Sequence, residues 1–182
     1  MKRKSLKATI ALLLTFILMN LLVINIFAVS YTIDNDDAQG FSNYGSANFT
    51  LYYGSNLWYG DGRLAASGSM DTYYDYYYPS YRATSSSQKI YGEIKAWLYD
   101  INFTDNSTSY CLRDAVNDGF YSAGIINQDL AAPGWNNIGV AVLNGKSSGK
   151  IQCADRVRIY SNWWGVGTNC GADAIEVILT LH

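Results

Sequence analysis

Histidine, glutamate, cysteine and proline are all scarce in this chain of 182 residues, and each shortage narrows what it can do. The one histidine is His182, the last residue. Serine and cysteine nucleophiles therefore lack a plausible imidazole base, and no Gly-x-Ser-x-Gly elbow occurs. The three cysteines, Cys111, Cys153 and Cys170, show no CxxC spacing, which argues against a structural zinc site. Glu93 and Glu176 are the only glutamates, and both sit in the middle of predicted strands. A glycosidase needs two carboxylates across one bond, and the thirteen aspartates are the remaining source of such a pair.

Basic residues are also few once the start of the chain is set aside. Lys2, Arg3, Lys4 and Lys7 precede an apolar run from Ala8 to Ala28, interrupted only by Thr9, Thr15, Asn20 and Asn25. A positive start, an apolar middle and a small exit residue read as a removable export signal over residues 1–28. An uncleaved anchor is the alternative, because a run of about 20 residues can span a bilayer. The mature part, 29–182, then carries 9 basic and 15 acidic residues, a net of −6. That balance argues against nucleic acid and against capture by anionic lipid. No later segment is apolar enough for membrane insertion, so the expected location is outside the cell or at its surface. An oxidising setting permits one disulfide and leaves one thiol. Cys153–Cys170 is the first choice, since both lie near the ends of neighbouring predicted strands; Cys111 with either one stays open.

What the mature part does contain is 16 glycines, 16 tyrosines and 5 tryptophans. Aromatic and β-branched residues suit a pleated, half-buried surface. No stretch keeps apolar residues at i, i+3 and i+4, whereas period two is frequent. Ile90, Ile94, Ala96 and Leu98 alternate with Tyr91, Glu93, Lys95, Trp97 and Tyr99. Ile138, Val140 and Val142 alternate with Gly139, Ala141 and Leu143, and Ile175, Val177, Leu179 and Leu181 with Glu176, Ile178 and Thr180. Further strands are expected around 31–34, 47–53, 73–78, 107–112, 119–126 and 150–160. Turn signals such as Asp61-Gly62, Asp118-Gly119 and Pro133-Gly134 lie between them. Short strands at this spacing predict one all-β domain, an antiparallel, jelly-roll-like β-sandwich.

The aromatics are the best functional material. A Trp or Tyr ring offers a flat apolar platform to the C–H face of a sugar, and Tyr adds a polar tip. Trp163-Trp164 sits in a predicted loop, where large exposed rings point to binding. Trp58-Tyr59 is a second candidate platform. Tyr73-Tyr74-Asp75-Tyr76-Tyr77-Tyr78 cannot be buried throughout, because consecutive strand residues face opposite ways. From that run Tyr74, Tyr76 and Tyr78 are taken as candidate sugar contacts, with packing in the core or on a sheet face as the alternative for the run. Asp34-Asn35-Asp36-Asp37 invites a calcium reading, but its spacing is not an EF-hand loop. Asp34 or Asp36 bonding turn amides is the favoured role, and no metal or cofactor is expected. Asp173 lies between alanines in an apolar strand, so a buried carboxylate there must be bonded. The expectation is that the first and last strands are neighbours and that Asp173 bonds backbone near Asn35.

Four segments carry a family resemblance. Ile33-Asp34-Asn35-Asp36-Asp37-Ala38-Gln39-Gly40-Phe41, Ile90-Tyr91-Gly92-Glu93-Ile94-Lys95-Ala96-Trp97, Gly134-Trp135-Asn136-Asn137-Ile138-Gly139 and Gly171-Ala172-Asp173-Ala174-Ile175 occur in that order. Together they resemble the golvesin C-terminal-like domains, also called xanthan-lyase carbohydrate-binding-like domains. The resemblance implies a β-sandwich and glycan binding, and it implies that Trp135 belongs to the core. The leading expectation is thus a secreted, non-catalytic module that binds polysaccharide. The alternatives are a structural or cell-surface protein that contacts protein partners or copies of itself, and a small secreted glycan hydrolase.

Overall fold

The computed structural model describes residues 28–36, 44–45, 49–68, 72–144, 149–162, 164 and 167–182. The expected export signal, Ala28 apart, and Trp163 lie outside the described residues. Among these residues twelve strands follow one another: β1 (Val29–Ile33), β2 (Tyr44–Gly45), β3 (Thr50–Tyr53), β4 (Asp61–Ala66), β5 (Tyr73–Arg82), β6 (Ile90–Leu98), β7 (Thr108–Asp114), β8 (Gly119–Ile126), β9 (Gly134–Leu143), β10 (Cys153–Tyr160), β11 (Asn169–Ala172) and β12 (Ile175–Leu181). All pairings are antiparallel. Sheet A has the order β1-β12-β6-β9, sheet B β2-β5-β10-β7-β8, and a small sheet C β11-β4-β3. The fold is the predicted β-sandwich, with the first and last strands paired as expected.

Sheets A and B bury their period-two faces against each other. Sheet A supplies Ile33, Ile90, Ile94, Ile175, Val177 and Leu179, and sheet B supplies Tyr76, Tyr110, Leu112, Val157 and Ile159. Tyr31 of β1 stacks on Tyr78 of β5 with ring centroids 5.2 Å apart, which links the two layers. On one side the sheets nearly touch through β8 and β9. A Cβ on Gly139 would lie 2.4 Å from the Ala123 carbonyl oxygen, and φ there is +141°, so only glycine fits.

The tyrosine run settles with the opposite parity from the expected one. Tyr74, Tyr76 and Tyr78 face the core at 3%, 1% and 5% exposure, and are not sugar contacts. The cause is register: β5 pairs with β10 so that its even-numbered residues lie over sheet A, beside Val157 and Ile159. The cysteines also differ from expectation. All three are free and buried. Cys153 opens β10 opposite Arg82, whereas Cys170 packs on Thr108 at the other end of the sandwich. A strand of that length separates the two ends by about 20 Å, far beyond disulfide reach.

Candidate functional site

One end of sheet A gathers three partly exposed indoles. Trp97, near the end of β6, and Trp135, near the start of β9, are direct cross-strand partners on the outer face. Trp58 comes from the loop between β3 and β4 and closes the trio. Ring centroids lie 4.9 Å apart for Trp58–Trp97, 5.1 Å for Trp58–Trp135 and 5.7 Å for Trp97–Trp135, all edge to face. Tyr59 adds an edge contact to Trp58, and Tyr99 one to Trp97.

Trp135 thus lies at the surface, 37% exposed, and not in the core. A β-bulge explains the correction. Along β9, Ala141 and Leu143 face inward, and unbroken alternation would turn Trp135 inward as well. The pairing with β6 slips between Ile94 and Lys95, where Ile94 meets Gly139 and Lys95 meets Asn137. Ile138 is the extra residue, and it flips everything before it, so Trp135 emerges opposite Trp97.

The loop bearing Trp58 is tightly specified. Leu57 is buried and anchors it, and Gly54 N–H donates to the Gly60 carbonyl at 3.1 Å. Tyr59 is held at φ 55°, a left-handed conformation uncommon for a residue with a ring, and its side chain is 86% exposed. Strain of this kind concentrates where a side chain must be presented in one orientation.

Two adjacent residues, Asp173 and Ala174, fix both remote indoles. The Asp173 carboxylate, 2% exposed, accepts the Trp58 backbone N–H at 3.0 and 3.1 Å. The Ala174 carbonyl accepts the Trp97 N–H at 2.9 Å. Trp97 also donates its ring N–H to the Asn56 carbonyl at 3.1 Å. Asp173 is bonded to backbone as expected, but at Trp58 and not near Asn35. Asn35 is buried instead beneath Asp61, donating its amide to that carbonyl at 3.0 Å, and its own carbonyl accepts the Tyr74 hydroxyl. Burial pushes Asp173 up to about 8, and Asp34, Asp61 and Asp100 add repulsion, opposed by the bonds from Trp58.

Asp34 accepts the Asn35 backbone N–H at 2.7 Å, the turn-bonding role expected of it. Burial, reinforced by Asp36 and Asp61, raises it to about 6. Carboxylate oxygens of Asp34, Asp36 and Asp61 lie within 4.8 Å of one another, and these are the described residues that could share a metal ion.

Beside the indoles lies a cleft of about 220 Å³, lined among others by Asn56, Tyr99, Asp100, Ile101, Asp129 and Pro133. Its floor is Phe103, which packs flat on the Gly171 backbone; a Cβ on Gly171 would lie 2.1 Å from that ring. Asp105, buried behind it, ties three loops by accepting from Ser67, Ser107 and Asn162 at 2.7–2.9 Å. Sequence reasoning missed Tyr99, Asp100 and Asp129, since none stands in a motif. For Trp97 the sequence left either face open; the structure puts it on the outer one, opposite Trp135.

Trp164 stands 82% exposed in the loop between β10 and β11, its N–H held by the Asn162 side chain at 2.9 Å. The ring contacts of Trp58 run to Tyr59, Trp97 and Trp135.

A second aromatic face covers the outside of sheet B. The Arg158 guanidinium lies 3.7 Å over Tyr73 and 4.4 Å over Phe120, and Arg156 lies 4.3 Å over Tyr77. Both arginines pair with Asp75, which is buried beneath them, at 2.6 and 2.9 Å.

No family model matches the sequence, and no curated protein matches it. Solved structures do. A Paenibacillus xanthan lyase overlays with a TM-score of 0.53 at 16% identity, over 81% of this chain and 13% of the lyase chain. The likeness is one of fold. A family 35 carbohydrate-binding module from Clostridium thermocellum follows at a TM-score of 0.49 and 11% identity, over 81% of this chain and 97% of that one. A xylan-binding module, CBM15, gives 0.39 and 11%, over 84% and 97%. This chain therefore spans a small part of the lyase's length and most of each module's.

Proposed function

We propose that the chain is an exported, non-catalytic carbohydrate-binding domain of the golvesin-like kind, and that it holds polysaccharide at the Trp58–Trp97–Trp135 end. One observation carries the reading: three indoles in mutual contact at the surface, with an open cleft beside them. Sugar rings present C–H faces to such surfaces, and their hydroxyls reach polar groups such as Asn56 and Asp100 at the rim.

The inclination of the rings narrows the form of the ligand. The interplanar angles are 64°, 62° and 78°, so the indoles make no coplanar strip. A flat crystalline glycan surface needs coplanar rings; inclined rings suit successive sugars of one twisted chain. Soluble single chains are the expected ligand.

Affinity gel electrophoresis against a panel of soluble polysaccharides tests this. The mature chain is retarded by at least one of them, and Trp58→Ala abolishes retardation while its circular dichroism stays that of the parent. No retardation across the panel overturns the reading. A concentration-dependent rise in size on gel filtration, abolished by Trp135→Ala, favours self-association through the same rings.

A further inference from the structure

Every ionisable side chain lining the cleft is a carboxylate except the phenol of Tyr99: the charged residues are Asp100 and Asp129, with no lysine, arginine or histidine among the lining residues. The loops that surround this end continue the sign. Asp34, Asp36 and Asp61 cluster there, and Asp105 and Asp173 lie buried below. The nearest cations are already engaged: Lys95 pairs with Glu176 at 2.8 Å on the outer face, and Arg63 lies close enough to Asp61 to offset its repulsion. Among the described residues, the exposed cations lie elsewhere. Arg82 ends β5, Lys89 precedes β6 and Lys150 precedes β10, all at the opposite end of the sandwich.

Screening limits charge effects to about 8 Å in physiological salt, so Asp100 and Asp129 act on a ligand in the cleft while the distant lysines do not. A uronate in the cleft would meet two like charges with no counter-charge. A protonated amine would meet two acceptors that also take its hydrogen bonds.

Resting on the proposed carbohydrate-binding role, we infer that Asp100 and Asp129 make the site selective for glycans free of carboxylate groups, with amine-bearing sugars held most firmly. The tryptophans supply the contact area, and the two aspartates supply the discrimination. Neither aspartate needs to touch the sugar ring face to do so.

Calorimetric titration of the mature chain with four defined hexamers tests this at about pH 6 and physiological salt, where the sugar amine is charged. The probes are hexamers of glucosamine, N-acetylglucosamine, glucose and galacturonate. Glucosamine hexamer binds about three- to tenfold more tightly than glucose hexamer, the range expected of two exposed charge pairs, and galacturonate hexamer binds most weakly. In Asp100→Asn/Asp129→Asn the glucosamine-to-glucose ratio falls to about one. Asparagine keeps the carbonyl that accepts from Asn102, so melting temperature reports whether the loop is intact. Added salt removes the same preference. Equal or tighter binding of galacturonate overturns the inference, as does a preference that survives the double substitution, which would be attraction to the net charge of the whole chain. Binding of glucose hexamer without any preference overturns the inference alone, whereas no binding by any hexamer overturns the proposed function with it.

Discussion

The outer face of sheet B and the tryptophan end of sheet A are both rich in rings, yet they are built to different ends. On sheet B, Arg158 lies over Tyr73 and Phe120, Arg156 lies over Tyr77, and Asp75 locks both guanidiniums from below. The faces of those rings are already occupied by the protein's own cations. At the other site the rings meet one another edge to face, and Trp135 and Tyr59 keep exposed area that a ligand could cover. Counting aromatics along a sequence does not separate the two cases. What separates them is whether neighbouring strands bring a cation over each ring.

The sharpest way to break this contrast is Asp75→Ala. It leaves two partly buried arginines without their shared carboxylate, and the expected loss is about 3–5 kcal/mol, or roughly 10 °C in melting temperature. Unchanged melting would show that the sheet B lattice is decoration. Trp135→Ala should do the reverse: at least a tenfold loss of glycan affinity with a much smaller fall in melting temperature. Tyr73→Ala, by contrast, should leave affinity unchanged, and a loss there would move the binding face to sheet B.

A third difference is sensitivity to pH. Asp173 sits at about 8 and Asp34 at about 6, both above the ordinary aspartate value near 4. The folded chain therefore holds these protons more tightly than the unfolded chain. Their contribution to stability is full below about pH 4 and is lost as pH rises through 6 and then 8. Melting temperature should fall across that span, and Asp173→Asn should remove the upper part of the fall. A rise over the same range would contradict the burial of Asp173. The smallest expected effect is that of Tyr74→Phe, which removes the hydroxyl bond to the Asn35 carbonyl and should cost about 1 kcal/mol without touching affinity.

Most strands were legible because a sheet with one buried face must alternate, and β6, β8 and β12 match their predicted spans closely. Trp58 and Tyr59 stand out in the sequence as large rings beside Gly60 and Asp61, and both stand at the end of the proposed site. Two errors have one origin. Trp135 and the tyrosine run were placed correctly on strands and wrongly on faces, since a face depends on register with a partner. For Trp135 the deciding residue is Ile138, whose extra place in β9 has no signature in the local pattern. Asp100 and Asp129 were invisible for another reason: they meet only because the β6–β7 and β8–β9 loops end at the same cleft. The proposed Cys153–Cys170 bridge failed because adjacency of predicted strands says nothing about which ends meet.

The pair Asp173–Ala174 carries the chain out of sheet C and into the last strand of sheet A while gripping Trp58 and Trp97. A residue inserted between Ala172 and Ile175 would do two things at once. It would turn Val177 and Leu179 outward and pull apart two indoles that lie far from each other in the chain. The proposed recognition surface therefore cannot drift while the interior stays put; any lineage that remodels one must renegotiate the other.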